Sequence, residues 1–261
     1  MLRSVFTKTL YDARKMLLWW SLALTGTMLV YVAGHKQYVE AGFLEAEMPE
    51  FLGAFMGKLD FASGAGYLNA TIYTLLGSVL VVIFALMLGA RAIAGDEESG
   101  MLDVLLAHPV SRTRFVLERF AALALAVGVI GFVMWAAVSA ASRFSEMDVP
   151  IVNIAAATAG LTLLGIVIGS LALAVGALTG RQALAAGVTA FIALAAFLAN
   201  NLAPMFEGLE FVQRLSPFYY YLGGDPLREG FDVGGLAVLT AAALVLAGLA
   251  VWGLNRRDIA V

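Results

Sequence analysis

The 261-residue sequence predicts an all-α membrane protein with six transmembrane helices and both termini in the cytoplasm. Three observations carry this reading. The chain is 61% hydrophobic and only 13% charged, against roughly 45–50% and about 25% in soluble domains, so it lacks the polar surface that folding in water demands. Six segments supply the ~20 apolar residues that a helix needs to cross the hydrocarbon. Lys and Arg alternate between rich and poor connections, as they do around membrane spans. The composition excludes a secreted enzyme, a nucleic-acid-binding domain and a disordered linker. With no cysteine, it also excludes a disulfide framework, a thiolate metal site and a cysteine nucleophile.

Residues 2–15 open the chain as an amphipathic helix. At about 100° per residue, Leu2, Val5, Phe6, Thr9, Leu10 and Ala13 share one face, while Arg3, Lys8, Asp12, Arg14 and Lys15 share the other. Such a helix is expected to lie in the inner membrane interface, against lipid or a cytosolic partner, before the chain turns into the first span. That span, 16–33, is charge-free. Tyr31-Val32-Ala33 puts tyrosine where a signal-peptide cleavage site needs a small residue, so the segment reads as a retained helix.

In the first outer loop, 34–66, Phe43, Leu44, Met48, Phe51, Leu52, Phe55 and Leu59 recur at helical spacing and predict one amphipathic outer helix. Span two covers 68–90. The inner loop after it contains Asp96-Glu97-Glu98-Ser99-Gly100 and then Met101, Leu102, Val104, Leu105 and Leu106, which cover one broad exposed apolar face while Asp103 and Ala107 face away. Either Asp96 or Ser99 is suited to cap a short helix there. Pro109 ends it by biasing His108 out of the helical region, and Ser111 is placed to cap the next helix. An apolar cytosolic helix of this kind usually marks a protein contact.

Spans three to five follow at 120–142, 151–178 and 183–202. Gly165 and Gly169 form G-x-x-x-G in span four, and Gly176 and Gly180 repeat it, which predicts close helix packing within or between subunits. Asn200 and Asn201 stand near the outer end of span five, lining a pathway or marking the wet end of the helix. The outer loop 203–232 carries Pro204, Pro217, Pro226 and the run Phe218-Tyr219-Tyr220-Tyr221. These aromatics form an interfacial belt or an outer gate, with Pro217, Phe218 and Tyr219 as gate candidates. Span six, 233–255, ends before Arg256 and Arg257. One membrane domain, 1–261, accounts for the whole chain.

With the N-terminus inside, 11 Lys and Arg residues fall on the inner side and 5 on the outer. The acidic residues divide 7 inside and 12 outside. Trp19, Trp20 and Trp252 sit where interfacial anchors are expected.

The segment from Glu98 to Arg112 resembles the signature loop of type-2 ABC exporter permeases, which carry an acidic residue, Gly, a Leu-rich turn, then Pro and Arg between their second and third spans. The amphipathic N-terminus, the Leu215-Ser216-Pro217 element and the ending Asn255-Arg256-Arg257-Asp258 are also similar to that family. The resemblance covers the whole chain and implies two six-span permease subunits, alike or different, working with two separate ABC ATPase subunits. By position, Glu97, Glu98, Gly100, Leu102, Leu105, Leu106, Pro109 and Arg112 would couple the permease to the ATPase. The N-terminal helix, with Leu2, Val5, Phe6 and Leu10, would lie in the membrane lipid interface and against the ATPase.

No G-x-x-x-x-G-K-[ST] occurs, so no P-loop nucleotide site is present, and H-E-x-x-H and G-x-S-x-G are absent too. No cofactor is expected on this chain; ATP and Mg are expected on the partner. The predicted spans contain no Asp, Glu, Lys, Arg or His. That argues against ion-coupled transport, which relies on intramembrane ionisable groups, and favours a translocator driven from outside the membrane. A bacterial inner membrane suits the topology. The competing reading is a non-transport scaffold or assembly factor whose inner helix holds a cytosolic partner; a passive channel is a third.

Overall fold

The computed structural model describes residues 4–40, 63–102, 110–145, 147–206, 208 and 210–257. The helix expected across 43–59 lies outside them. The elements are α1 (Val5–Glu40), α2 (Gly64–Glu98), α3 (Arg112–Phe144), α4 (Ile151–Thr179), α5 (Gln182–Leu202), the short helices α6 (Glu210–Gln213), α7 (Pro217–Leu222) and α8 (Pro226–Glu229), and α9 (Val233–Arg256). Among the described residues, α1 to α5 and α9 are long and apolar enough to cross a membrane, and there are no strands. Each of the six apolar segments falls within one of them.

α1 corrects the expected separate interfacial helix. It is a single helix of 36 residues, about 54 Å long at 1.5 Å per residue, which exceeds a ~30 Å hydrocarbon core. The sequence has neither Gly nor Pro before Gly26, so nothing interrupts hydrogen bonding once the helix has nucleated. The amphipathic face exists, but it packs on protein. Val5, Thr9 and Ala13 are buried, while Tyr11, Asp12, Arg14 and Lys15 are exposed. Trp20 also turns inward, its ring edge-on to Phe84 at 5.8 Å, whereas Trp19 and Trp252 stay exposed.

α4 is the axis of the bundle. It packs against α2, α3, α5 and α9 along its length and against α7 and α8 at one end. Its small residues make this possible. A Cβ on Gly89 of α2 would run into the Gly169 carbonyl of α4, and a Cβ on Gly165 would meet Val81 and Val127 at 2.8 and 3.0 Å. The G-x-x-x-G predicted in this helix therefore brings α2 and α3 into backbone-to-side-chain contact within one subunit. Gly180 is not a repeat of it, as shown below.

α2 widens twice, over Asn69–Leu76 and Arg91–Gly95, where hydrogen bonds span five residues rather than four. The Gly77 N–H and the Ser78 hydroxyl donate five residues back, to the carbonyls of Ile72 and Tyr73. Such wide turns are rare and recur at functional sites. One lies near each end of the helix.

The tight α2–α4 approach predicts that Gly89→Ala destabilises the protein by about 1–3 kcal/mol through overpacking. Gly187 of α5 has open space around its Cα, so Gly187→Ala is expected to be neutral or to stabilise by up to about 1 kcal/mol. Thermal unfolding in detergent checks both; an unchanged midpoint for Gly89→Ala would contradict the packing.

Candidate functional site

One face of the bundle gathers the start of α1, the end of α2, the start of α3, the α4–α5 connection and the end of α9. It is called here the termini face. Asp96-Glu97-Glu98 forms the last turn of α2, and each carboxylate reaches a different element. Asp96 pairs with Arg119 of α3. Glu97 forms a bidentate pair with Arg257, at 2.5 and 3.1 Å. Glu98 accepts the Gln182 N–H at 2.8 Å, placing negative charge at the N-terminus of α5, where the helix dipole favours it.

Arg119 is 4% exposed and is the residue that sequence reasoning missed. It flanks the predicted third span, but α3 begins at Arg112, so Arg119 lies two turns inside the helix. Besides Asp96 it donates to the Thr9 hydroxyl at 2.9 Å, which itself donates to the Val5 carbonyl at 2.7 Å. Its guanidinium stands 5.2 Å from the Phe115 ring centre. Asp96 and Arg119, which flank the charge-free segments 68–90 and 120–142, form an ion pair within the packed bundle. Glu118 beside it accepts the Phe6 N–H at 3.0 Å and Arg114 at 2.8 Å, so α1 and α3 are joined twice.

Arg112 closes the far side, donating to the carbonyls of Leu254 and Arg257 at 3.1 and 2.7 Å. These belong to the otherwise unsatisfied end of α9. Arg257 also donates to the Ala177 carbonyl at 3.1 Å. Gly180 ends α4 in the left-handed region, φ +66°, and a Cβ there would strike the Glu97–Arg257 pair. It is a helix stop fitted under an ion pair rather than a packing repeat.

Of the residues expected at the coupling loop, Glu97, Glu98, Gly100, Leu102 and Arg112 are described, and Leu105, Leu106 and Pro109 lie outside the described residues. Ser99 ends the last turn of α2. It is helical in backbone, and its hydroxyl donates back to the Gly95 and Asp96 carbonyls at 2.9 and 3.2 Å. Gly100 turns the chain at φ +68° in open space. Leu102 departs from the expected exposed face: it is 1% exposed, in a cluster with Val5, Ile93, Phe115, Val116, Ala177 and Leu254. Met101 is 40% exposed. Ser111 caps α3 as expected, accepting the Arg114 N–H at 3.3 Å. At the N-terminus, Phe6 and Leu10 are half-buried beside buried Val5, and Leu2 lies outside the described residues.

The opposite face carries α6, α7 and α8. Ser216 caps α7, accepting the Phe218 N–H at 3.2 Å and donating to the Ala196 carbonyl at 2.8 Å. Of the gate candidates, Phe218 is buried edge-on against Phe197 at 5.4 Å, while Pro217 and Tyr219 are half-buried. Tyr221 donates to the Tyr73 carbonyl at 3.0 Å, and the Tyr73 hydroxyl meets Thr158 at 2.8 Å. Burial pushes the Tyr221 phenol well above its usual range. Asn153 of α4 holds the Leu227 and Arg228 carbonyls at 2.9 and 3.0 Å.

Two cavities lie along α2 and α5 on this side. A cavity of about 500 Å³ is lined by residues that include Asn69, Thr74, Asn200, Asn201, Gln213 and Tyr219. A cleft of about 300 Å³ has an almost wholly apolar wall that includes Val82, Leu86, Ala193, Leu194, Phe197 and Phe218.

The ion pair at Arg119 predicts an asymmetric mutational response. Arg119→Met alone leaves half-buried Asp96 without its guanidinium and is expected to destabilise by about 1–3 kcal/mol, whereas adding Asp96→Leu recovers most of the loss. Denaturation of the single and double variants measures this; equal losses in both would contradict it.

Comparison with known families matches residues 4–259 to the profile described as "ABC-2 family transporter protein". No individual curated protein matches the chain.

Proposed function

The chain belongs to the ABC-2 transporter family, and from that premise we propose that it is the translocating subunit of an ATP-driven exporter. It is a multi-pass membrane protein and a permease component of an ABC transporter. The finer reading is that two such subunits, alike or different, work with two ABC ATPase subunits. Those subunits hold ATP and Mg, because this sequence has no P-loop of its own. The excess of Lys and Arg on the termini face supports placing that face in the cytoplasm.

The observation that carries the reading is the turn at 96–102. Its tip, Ser99 to Met101, is exposed, while its base is bound directly to α3, α5 and α9 and, through Arg119, to α1. A load applied to the tip passes through Asp96 to α3 and, by Arg119 and Thr9, to α1. Glu97 passes it to the end of α9, and Glu98 to the start of α5. Leu102 seats the turn on the inner cluster, and Arg112 binds it to α9 from the far side. This is the geometry a coupling element needs: a partner-facing tip on a base that moves several helices as one. Glu97, Glu98, Gly100, Leu102 and Arg112 therefore act as transmitting residues, with Leu105, Leu106 and Pro109 assigned to the partner-facing segment by sequence position.

Gly100→Pro removes a backbone conformation that proline cannot adopt, and Leu105→Asp charges the apolar segment. Both are expected to leave membrane insertion intact while lowering cargo-stimulated ATP hydrolysis by the co-purified ATPase at least tenfold. Normal transport by both variants would overturn the coupling assignment. Recovery of the chain with a partner that lacks Walker sequences would favour the scaffold reading instead.

A further inference from the structure

In an uninterrupted α-helix the Tyr73 carbonyl would accept the Gly77 N–H. In α2 that N–H goes one residue further back, to Ile72. The Tyr73 carbonyl accepts two hydroxyls in its place: Ser78 of its own helix and, at 3.0 Å, Tyr221 of α7. The Tyr73 side chain carries the connection onward. Its hydroxyl lies 2.8 Å from the Thr158 hydroxyl of α4, and Thr158 donates to the Ile154 carbonyl at 2.8 Å, so Tyr73 is the donor of that pair. Tyr73, Ser78, Thr158 and Tyr221 are all buried.

A buried carbonyl left without a donor is costly. The wide turn at Asn69–Leu76 therefore depends on hydroxyls from outside its own backbone, and one of them belongs to a separate element. With Tyr221 withdrawn, the Tyr73 carbonyl is satisfied within α2 by taking back the Gly77 N–H. That exchange returns the turn to α-helical bonding and expels one residue from it. Packing determines which side moves. A Cβ on Gly77 would lie 2.8 Å from Met134 Cε, and one on Gly89 would strike the α4 backbone. Turning the middle of α2 would bring a side chain into those contacts. The expelled residue passes instead to the outer end, Gly64–Leu68, where each residue moves outward by about 1.5 Å and turns by about 100°. Tyr67, which donates to the Tyr31 carbonyl of α1 at 2.8 Å, is carried away from it.

We propose that the outer wide turn of α2 is a register switch whose latch is the Tyr221 hydroxyl. With α7 seated, Tyr221 holds the wide register. With α7 withdrawn, the outer end of α2 slides outward by one residue and lets go of α1. The switch follows from the hydrogen bonds themselves; its use during transport rests on the reading above.

The sequence has no cysteine, so an introduced pair meets no competing thiol. A Cβ at Gly64 would lie 3.1 Å from Met147 Cβ, a few tenths of an ångström inside the usual disulfide separation of about 3.5–4.5 Å. Gly64→Cys with Met147→Cys therefore reports the wide register. Ala65→Cys with Met147→Cys reports the shifted one, in which residue 65 takes the place of residue 64. Both pairs are oxidised in the full chain in nanodiscs, and cross-linked peptides are quantified by mass spectrometry. The 64–147 pair should form at least tenfold faster than the 65–147 pair. Tyr221→Phe should shift that ratio toward 65–147 at least fivefold, and adding Ser78→Ala should shift it further. Tyr220→Phe, which removes a hydroxyl from the neighbouring ring that lies edge-on to Tyr219, should leave the ratio unchanged. An unchanged ratio in Tyr221→Phe would overturn the inference. So would equal loss of both pairs, the mark of an end that frays rather than re-registers, or an equal shift in Tyr220→Phe. A ratio that moves with Tyr221→Phe, but not when ATP is added to the complex with the co-purified ATPase, would support the latch and count against its use in transport.

Discussion

Three consecutive carboxylates hold the termini face together. Asp96, Glu97 and Glu98 occupy one helical turn, so their side chains fan out about 100° apart and cannot serve the same neighbour. Each instead finds a separate partner: a buried guanidinium, a terminal guanidinium and a helix N-terminus. Three helices that share little sequence proximity are thereby fixed to a single turn, and Arg119 extends the hold to α1 through Thr9. Arg112 completes the arrangement by satisfying carbonyls at the end of α9 that have no intrahelical partner.

The arrangement also explains why ionisable groups are tolerated inside an apolar bundle. Arg119 is buried, but it is hydrogen-bonded to Thr9, paired with Asp96 and stacked near Phe115. A buried charge without such partners would be strongly unfavourable. The pair adds little net stability, because two charges removed from water recover only part of their hydration in each other. α4 supplies the complementary constraint. Its small residues let α2 and α3 approach closely, so the helices carrying Asp96 and Arg119 are held at a separation that the ion pair can span.

The two wide turns divide α2 into a rigid middle and two adjustable ends. The middle packs on α4 through Gly89 and its neighbours. One end bears the acidic turn and the other borders the amide-lined cavity. The helix thus connects the proposed coupling element to that cavity without an intervening loop.

Much of this was legible without coordinates. Six apolar segments and the scarcity of charge determine a helical membrane protein, because only internally hydrogen-bonded helices satisfy these segments in lipid. The Ser111 cap and the G-x-x-x-G at Gly165 and Gly169 were readable for the same kind of reason, since each depends on residues a few positions apart. What the sequence could not specify were the pairings between distant positions. Nothing local to Glu97 identifies Arg257, and nothing local to Leu102 distinguishes a side chain offered to a partner from one buried against Phe115 and Leu254. Gly180 looked like another packing glycine, because its spacing is a sequence property while its left-handed backbone is not. The amide cavity likewise needs Asn69, Asn201 and Gln213 from three separate elements. Periodicity and composition determined where the chain meets lipid, since that depends on each segment alone. Tertiary structure decided which charges meet and which polar groups surround a void, since those depend on how the segments pack.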